Sequence, residues 1–213
     1  MSAPGSRMKS EERRELVLAA ATGVFGERGY VGATTDAVAR AAGVSQPYVV
    51  RMFGGKEALF LAVLDRALDR LLSAFRGAIS GLAQRPGPEE GGDTADEACT
   101  ASVAIARAYA ELLSDRGLLL SLMHGFILGS DPVIGARARA GFLEVYRLLR
   151  DEAGFSADEA REFLSAGMLL NTMVGIRMTA DYDRDPAAKE LLDSVVPTKL
   201  DFLLSLEREA PED

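Results

Sequence analysis

From Ser10 onward, apolar residues recur at three- and four-residue spacings: Leu16, Val17, Ala20, Val24 and Phe25. That period puts them on one face of a helix. Ser10 is a candidate N-cap, Glu11 and Glu12 suit the positive helix end, and Gly29 is the stop. Thr34 caps a short second helix that reaches about Ala42, with Val38 and Ala41 or Ala42 turned inward. Gly43 then supplies a turn at a left-handed position. Ser45 caps a third short helix, Gln46 to Phe53, with Pro47 in its first turn, where a missing N–H is harmless. Gly54-Gly55 ends it. A long amphipathic helix follows from about Lys56 to Leu82, and Leu59, Phe60, Val63, Leu64, Leu68, Leu71, Leu72, Phe75 and Ile79 form its stripe.

Residues 85–93 hold two Pro and three Gly and read as a loop. Thr94 to Leu113 is the next helix. Gly117 to Leu128 is short and apolar nearly all round, which predicts a buried helix. Asp131-Pro132 opens another, which Gly154 ends. Ser156 caps the one after, with Glu159 three residues on as a capping box; it reaches about Ala180. Asp181 to Asp185 is an acidic break. Pro186 opens a last segment to about Glu207, which Pro197 must kink or divide. No strand pattern, internal repeat or low-complexity tract is visible. The fold class is all-α, with an N-terminal three-helix domain, its second and third helices short, ahead of a larger helical part.

Composition narrows the function classes. The chain has 213 residues, of which 48% are hydrophobic and 26% charged, so it can bury a core and is not disordered throughout. One cysteine, Cys99, excludes an internal disulfide framework, and one histidine, His124, leaves no zinc cluster. No metal and no cofactor is expected. Asp181 to Asp185 resembles a calcium loop superficially, without the required Gly and Glu. The longest uncharged stretches, 117–130 and 163–176, have 14 residues each, short of the about 20 a membrane helix needs. The first ten residues have no apolar core and do not read as a secretory signal. A cytoplasmic protein with no membrane partner is the expectation. The net charge of −8 hides a split: residues 1–66 carry nine Lys/Arg against seven Asp/Glu, while the rest carries 15 against 25. Only the first part is suited to an anionic partner.

Two short helices joined by a Gly turn and packed on a preceding helix form the helix-turn-helix pattern, whose second helix enters the DNA major groove. Ala39, Ala41 and Ala42 permit close helix approach, and Val38 and Val44 can fill the small core. The run Ala42-Gly43-Val44-Ser45, followed by Phe53 and Lys56-Glu57-Ala58-Leu59, adds specificity, as do Phe25, Gly29, Tyr30, Thr34, Val38 and Ala39. On these residues, positions 10–66 resemble the TetR family of bacterial transcription regulators. The family's usual Tyr-x-His-Phe run is Val50-Arg51-Met52-Phe53 here, and a frequent Thr is Ala33. The small, Pro/Gly-containing run Ser2 to Ser6 predicts a disordered tail at 1–9, and the resemblance implies a DNA-binding domain at 10–56 and an effector-binding and dimerisation domain at 57–213.

For DNA contact the candidates are Thr34, Thr35, Ser45, Gln46, Pro47, Tyr48, Arg51 and Lys56. Thr34, Thr35 and Ser45 sit at helix starts, where free N–H groups attract phosphate; capping alone is the other reading. Gln46 can read adenine through its amide. Tyr48 can touch a thymine methyl or a phosphate, and Arg51 can reach the backbone. Lys56 resembles the family lysine that grips phosphate. Arg7 and Lys9 are basic residues that can reach a minor groove.

For a small apolar effector the candidate lining is Phe75, Tyr109, Leu122, Met123, His124, Phe126, Tyr146, Met168, Asn171 and Thr172, a set of aromatic and Met side chains with a few polar groups. Plain core is the alternative for each. The resemblance implies a homodimer through Phe163–Met178 and Leu191–Leu206, with Ala166, Gly167 and Gly175 allowing close approach and Leu192, Val196, Leu200 and Leu203 as the seam. The expected function is a ligand-responsive repressor of a palindromic duplex operator. A constitutive DNA-binding regulator without an effector is the alternative. A helical enzyme or lipid carrier is the third reading, which no paired carboxylates, nucleophile set or phosphate loop supports.

Overall fold

A computed structural model describes residues 10–83, 94–113 and 115–195. Among them are nine α-helices and no strand, the all-α class expected. Helix α1, Ser10–Gly32, buries Val17, Leu18, Ala21, Val24 and Phe25. Ser10 lies inside the helix rather than capping it, and residue 9 is outside the described residues. The stop expected at Gly29 is a kink: φ of 66° breaks the helix there, a conformation that glycine reaches without a Cβ clash, and a last turn follows to Gly32.

Helices α2, Thr35–Ala41, and α3, Gln46–Phe53, flank the turn at Gly43, whose φ is 65°. Gly54, at φ 91°, closes α3 with its N–H on the Val50 carbonyl at 2.7 Å. Helix α4 covers Lys56–Ala83. Further on come α5, Thr94–Leu112; α6, Arg116–Ile127; α7, Ile134–Arg147; α8, Ala157–Gly175; and α9, Pro186–Val195. The chain divides by packing into two units. One comprises the described residues up to Leu68 with Arg116–Ala138, and the other comprises Asp69–Asp115 with those from Arg139 on.

In the first unit, Phe25, Val38, Val49, Leu59, Phe60, Val63 and Ile134 are fully buried in one cluster. The rings of Phe25, Tyr30 and Phe60 pack together, with Phe25 and Phe60 centroids 4.9 Å apart. Helix α6 docks on α1 through small residues. A Cβ built on Gly26 would meet the Gly117 Cα at 2.8 Å, and one on Gly117 would meet the Thr22 carbonyl oxygen at 3.1 Å. The Ser121 hydroxyl donates to that same carbonyl at 3.3 Å. Leu118, Leu119, Ser121 and Gly125 face inward, but Ile127 is 73% exposed, so α6 is buried on one side and not all round.

In the second unit, Phe75, Tyr109, Phe163 and Phe155 form an edge-to-face chain with centroids 5.9–6.0 Å apart. Arg76 makes a two-pronged pair with the Glu152 carboxylate, which holds that carboxyl below its usual range. Asp131 caps α7 as expected, accepting from the N–H groups of Val133 and Ile134 at 2.9 and 2.8 Å. The continuation to Gly154 loosens into one π turn, Leu148–Glu152. The capping box at α8 is present: the Glu159 N–H donates to the Ser156 hydroxyl at 3.2 Å, and the Ser156 N–H donates to the Glu159 carboxylate at 2.7 Å. Helix α8 ends at Gly175, short of the expected Ala180. Gly175 is a poor helix former, Arg177 turns left-handed at φ 56°, and a separate 3₁₀ turn covers Met178–Asp181. Leu192, expected on a seam between subunits, is buried within its own unit. The loop at 85–93, the segment past 195 with Pro197, and the basic Arg7 and Lys9 lie outside the described residues.

Candidate nucleic-acid interface

The starts of α2, α3 and α4 carry the predicted contact residues. Thr34 has an extended backbone and its hydroxyl accepts from the Ala37 N–H at 3.1 Å, so it caps α2. Its side chain remains exposed at that helix start. Ser45 takes the N-cap backbone conformation at α3, yet its hydroxyl makes no cap bond. The expected side-chain cap is thus missing: the Ser45 carbonyl accepts from Tyr48 and Val49, while its exposed hydroxyl is left for a partner outside the helix.

Gln46 and Thr35 are brought together. The Gln46 side-chain amide donates to the Thr35 hydroxyl at 3.2 Å, joining the first residue of α3 to the first of α2. Pro47 stands exposed beside them. On the next turn, the Arg51 guanidinium lies over the Tyr48 ring, 5.2 Å from its centroid. This cation–π contact holds both side chains on the solvent side of α3, opposite the buried Val49.

Lys56 opens α4. Its ammonium donates to the Val31 carbonyl at 3.1 Å and lies 4.7 Å from the centre of the Tyr30 ring. An ammonium has three N–H groups, so two remain for a phosphate. The kink at Gly29 is what directs the Tyr30–Val31 turn: without it α1 would run straight on. Burial, with the Glu57 and Asp131 charges behind it, raises the Tyr30 phenol above its ordinary value, so this ring is neutral under the lysine.

Two basic residues escaped the sequence reading. Arg13 lines a groove of about 400 Å³ with Leu16, Ala42, Gly43, Val44, Ser45 and Tyr48. Arg14 stacks over Phe53 at 4.6 Å. Their only local signal is positive charge on the first turns of α1. Their proximity to the turn of the motif is a matter of tertiary packing.

The ten residues expected around an effector fall into two groups. Leu122, Met123, His124 and Phe126 belong to α6 in the first unit, where Leu122 packs on the core and the His124 ring lies against Gly29. Phe75, Tyr109, Tyr146, Met168, Asn171 and Thr172 belong to the second. Four of these meet: the Tyr109 hydroxyl donates to Asn171, which also reaches the Met168 sulfur at 3.9 Å, and Tyr109 sits edge-on to Phe75. Burial pushes the Tyr109 phenol well above its usual range. Thr172 points out of the unit and bonds back to the Met168 carbonyl at 2.9 Å. A separate groove of about 710 Å³ runs between α4 and α5, lined by Ala74, Gly77, Ala78, Gly81, Val103 and Ala104 among others, and by none of the ten. Among the described residues there is no cluster able to hold a metal and no helix long and apolar enough to cross a membrane.

Comparison with known proteins falls on the same segment. The family model described as bacterial regulatory proteins, tetR family, matches residues 17–63. The HTH-type transcriptional activator FasR of Mycolicibacterium smegmatis is 45% identical over 75 residues, 35% of this chain and 34% of that protein. The HTH-type transcriptional regulator HbdR of an Aromatoleum species is 36% identical over 72 residues, 34% of this chain and 31% of that one. The match thus spans about a third of the curated relatives. The likeness to solved structures covers the whole fold: a TetR-like transcriptional regulator from Rhodococcus sp. RHA1 superposes with a TM-score of 0.63 at 19% identity, over 94% of this chain and 96% of that one. The fatty acid degradation regulator FadR of Bacillus halodurans gives 0.56 at 19% identity, over 93% and 97%.

Proposed function

We propose, from the premise that this chain carries at residues 17–63 the N-terminal module of the bacterial TetR family, that it is a cytoplasmic, homodimeric transcription regulator that binds a palindromic duplex operator and leaves it when a small apolar effector binds. The observation that carries the reading is the set of exposed and half-exposed polar side chains of the motif: Thr34, Ser45 and Lys56 at the starts of α2, α3 and α4, and Gln46, Tyr48 and Arg51 along α3. Phosphates are held at Thr34, Ser45 and Lys56, with Arg13 in the groove beside Ser45, and these contacts set register. Gln46 and Tyr48 read base edges from α3. A dimer would hold two such helices about 34–36 Å apart, one turn of duplex.

The effector site is proposed around Phe75, Tyr109, Met168 and Asn171 in the second unit, an apolar setting with one hydrogen-bonded polar pair. Helix α4 gives its residues to Leu68 to the first unit and those from Asp69 to the second, and α7 likewise crosses at Ala138, so both are continuous elements through which effector binding can reach the DNA contacts. The effect on DNA affinity is only as large as the effector's preference for one arrangement of that helix over the other. Accordingly, residues 10–56 do the DNA binding, and the remainder serves effector and partner.

The test is selection from a random duplex pool, followed by a salt titration on the winning sequence. A palindrome with a steep salt dependence supports the reading. A folded protein that enriches nothing overturns it. Repression is the proposed output. Activation is the second reading, favoured by the name of the 45% identical relative, an activator. A reporter placed under the selected operator separates them by the sign of its response when the protein is removed.

A further inference from the structure

The bond between Gln46 and Thr35 gives Thr35 a role different from phosphate contact. Reading adenine takes the amide carbonyl as acceptor and one amide N–H as donor. A Gln amide has two N–H groups. One is held by the Thr35 hydroxyl at 3.2 Å. The carbonyl and the second N–H remain for a base edge. The anchor is itself stiff, because a β-branched side chain has few χ1 choices, and Thr35 is half-buried at the first position of α2. Its neighbour Thr34 already caps that helix, so Thr35 is not needed for capping.

We propose that Thr35 is a positioning residue for base reading: its hydroxyl fixes the Gln46 amide so that the carbonyl and the second N–H are presented together to one adenine in the major groove. The inference rests on the DNA-binding reading above. Without the anchor, Gln46 must give up its rotamer freedom on binding, at a cost that corresponds to roughly a three- to tenfold loss of discrimination. The loss falls on one base pair and not on the whole site.

The experiment uses the full chain and its selected duplex. Gln46→Ala first identifies the base pair whose preference depends on Gln46. Affinities for the selected duplex, and for one with that A·T pair changed to G·C, are then measured for wild type, Thr35→Val and Thr35→Ser, with melting curves to confirm folding. The expected result is that Thr35→Val lowers the ratio of the two affinities roughly three- to tenfold, Thr35→Ser restores it, and Thr35→Val has no effect on the ratio in the Gln46→Ala background. An equal loss on both duplexes with a shallower salt slope would make Thr35 a phosphate contact and overturn the proposal. So would an unchanged ratio, or a Gln46→Ala variant that keeps every base preference. Failure of the wild type to enrich any duplex would overturn the DNA-binding reading itself, and is seen in the wild-type arm alone.

Discussion

Gly29 combines two constraints that act on one atom. Its φ of 66° suits glycine, and the site of a Cβ is 3.1 Å from the His124 ring. Gly29→Ala is therefore expected to destabilise the protein by about 1–3 kcal/mol through backbone strain, with the ring contact added. His124→Ala in that background relieves the contact and leaves the strain, so denaturant midpoints should show partial recovery. Full recovery would mean the backbone carries no strain. Tyr109 is a second residue whose surroundings decide its behaviour. Burial favours the neutral phenol, so its folded pKa lies above the ordinary 10.0. The stability this contributes is whole below pH 10 and is lost as pH rises beyond it. Tyr109→Phe should cost about 1 kcal/mol at neutral pH, through the lost bond to Asn171, and should show less alkaline destabilisation than wild type. Urea melts of both proteins at about pH 8 and about pH 11 check the sign; parallel losses would sink it.

The helix starts separate capping from DNA contact. Thr34→Ala removes a cap bond and is expected to cost about 1 kcal/mol of stability as well as operator affinity. Ser45→Ala removes a hydroxyl that caps nothing, so its stability should stay within about 0.5 kcal/mol of wild type while operator binding falls. Lys56→Gln should weaken binding to all duplexes alike and reduce the salt slope by about 1. Melts alongside salt titrations measure both quantities, and a Ser45→Ala protein that melts like Thr34→Ala would contradict the assignment. These ends were legible in the sequence because each is written locally: Thr34 and Ser45 before helical runs, Gly43 and Gly54 after them. What the residue type does not say is whether the hydroxyl of a cap position is used, as Ser45 shows. The π turn at Leu148–Glu152 and the end of α8 at Gly175 were illegible for a related reason. The apolar period runs up to both; Gly175 is a local signal for the second, but one glycine in a helical pattern does not by itself set a helix end.

At the scale of the molecule, periodicity identifies which face of a helix is apolar but not what covers it. That is why Leu122 and His124 were grouped with Tyr109 and Asn171, although α6 docks on α1 through Gly26, Gly117 and Ser121, residues whose smallness has no meaning until their partner is known. The same ambiguity bears on α8. Its inward face holds Leu170, Asn171 and Met173, while Leu169 and, at the C-cap just past the helix, Ile176 are 41% and 61% exposed, with Ala166 and Thr172 also exposed. Water is a poor neighbour for that row, and a second copy of the chain turned about a two-fold axis would present the same small and apolar residues to it. Charges placed there should therefore act on association and not on folding. If the proposed dimer forms through this face, Leu169→Glu with Ile176→Glu is expected to leave the helical content intact, to give a monomer in sedimentation where the wild type gives a dimer, and to weaken binding to a palindromic duplex at least tenfold, about 1.4 kcal/mol, while a single half-site is bound as before. If the double variant sediments as a dimer, the exposed face of α8 is not the contact, and the partner must be held elsewhere.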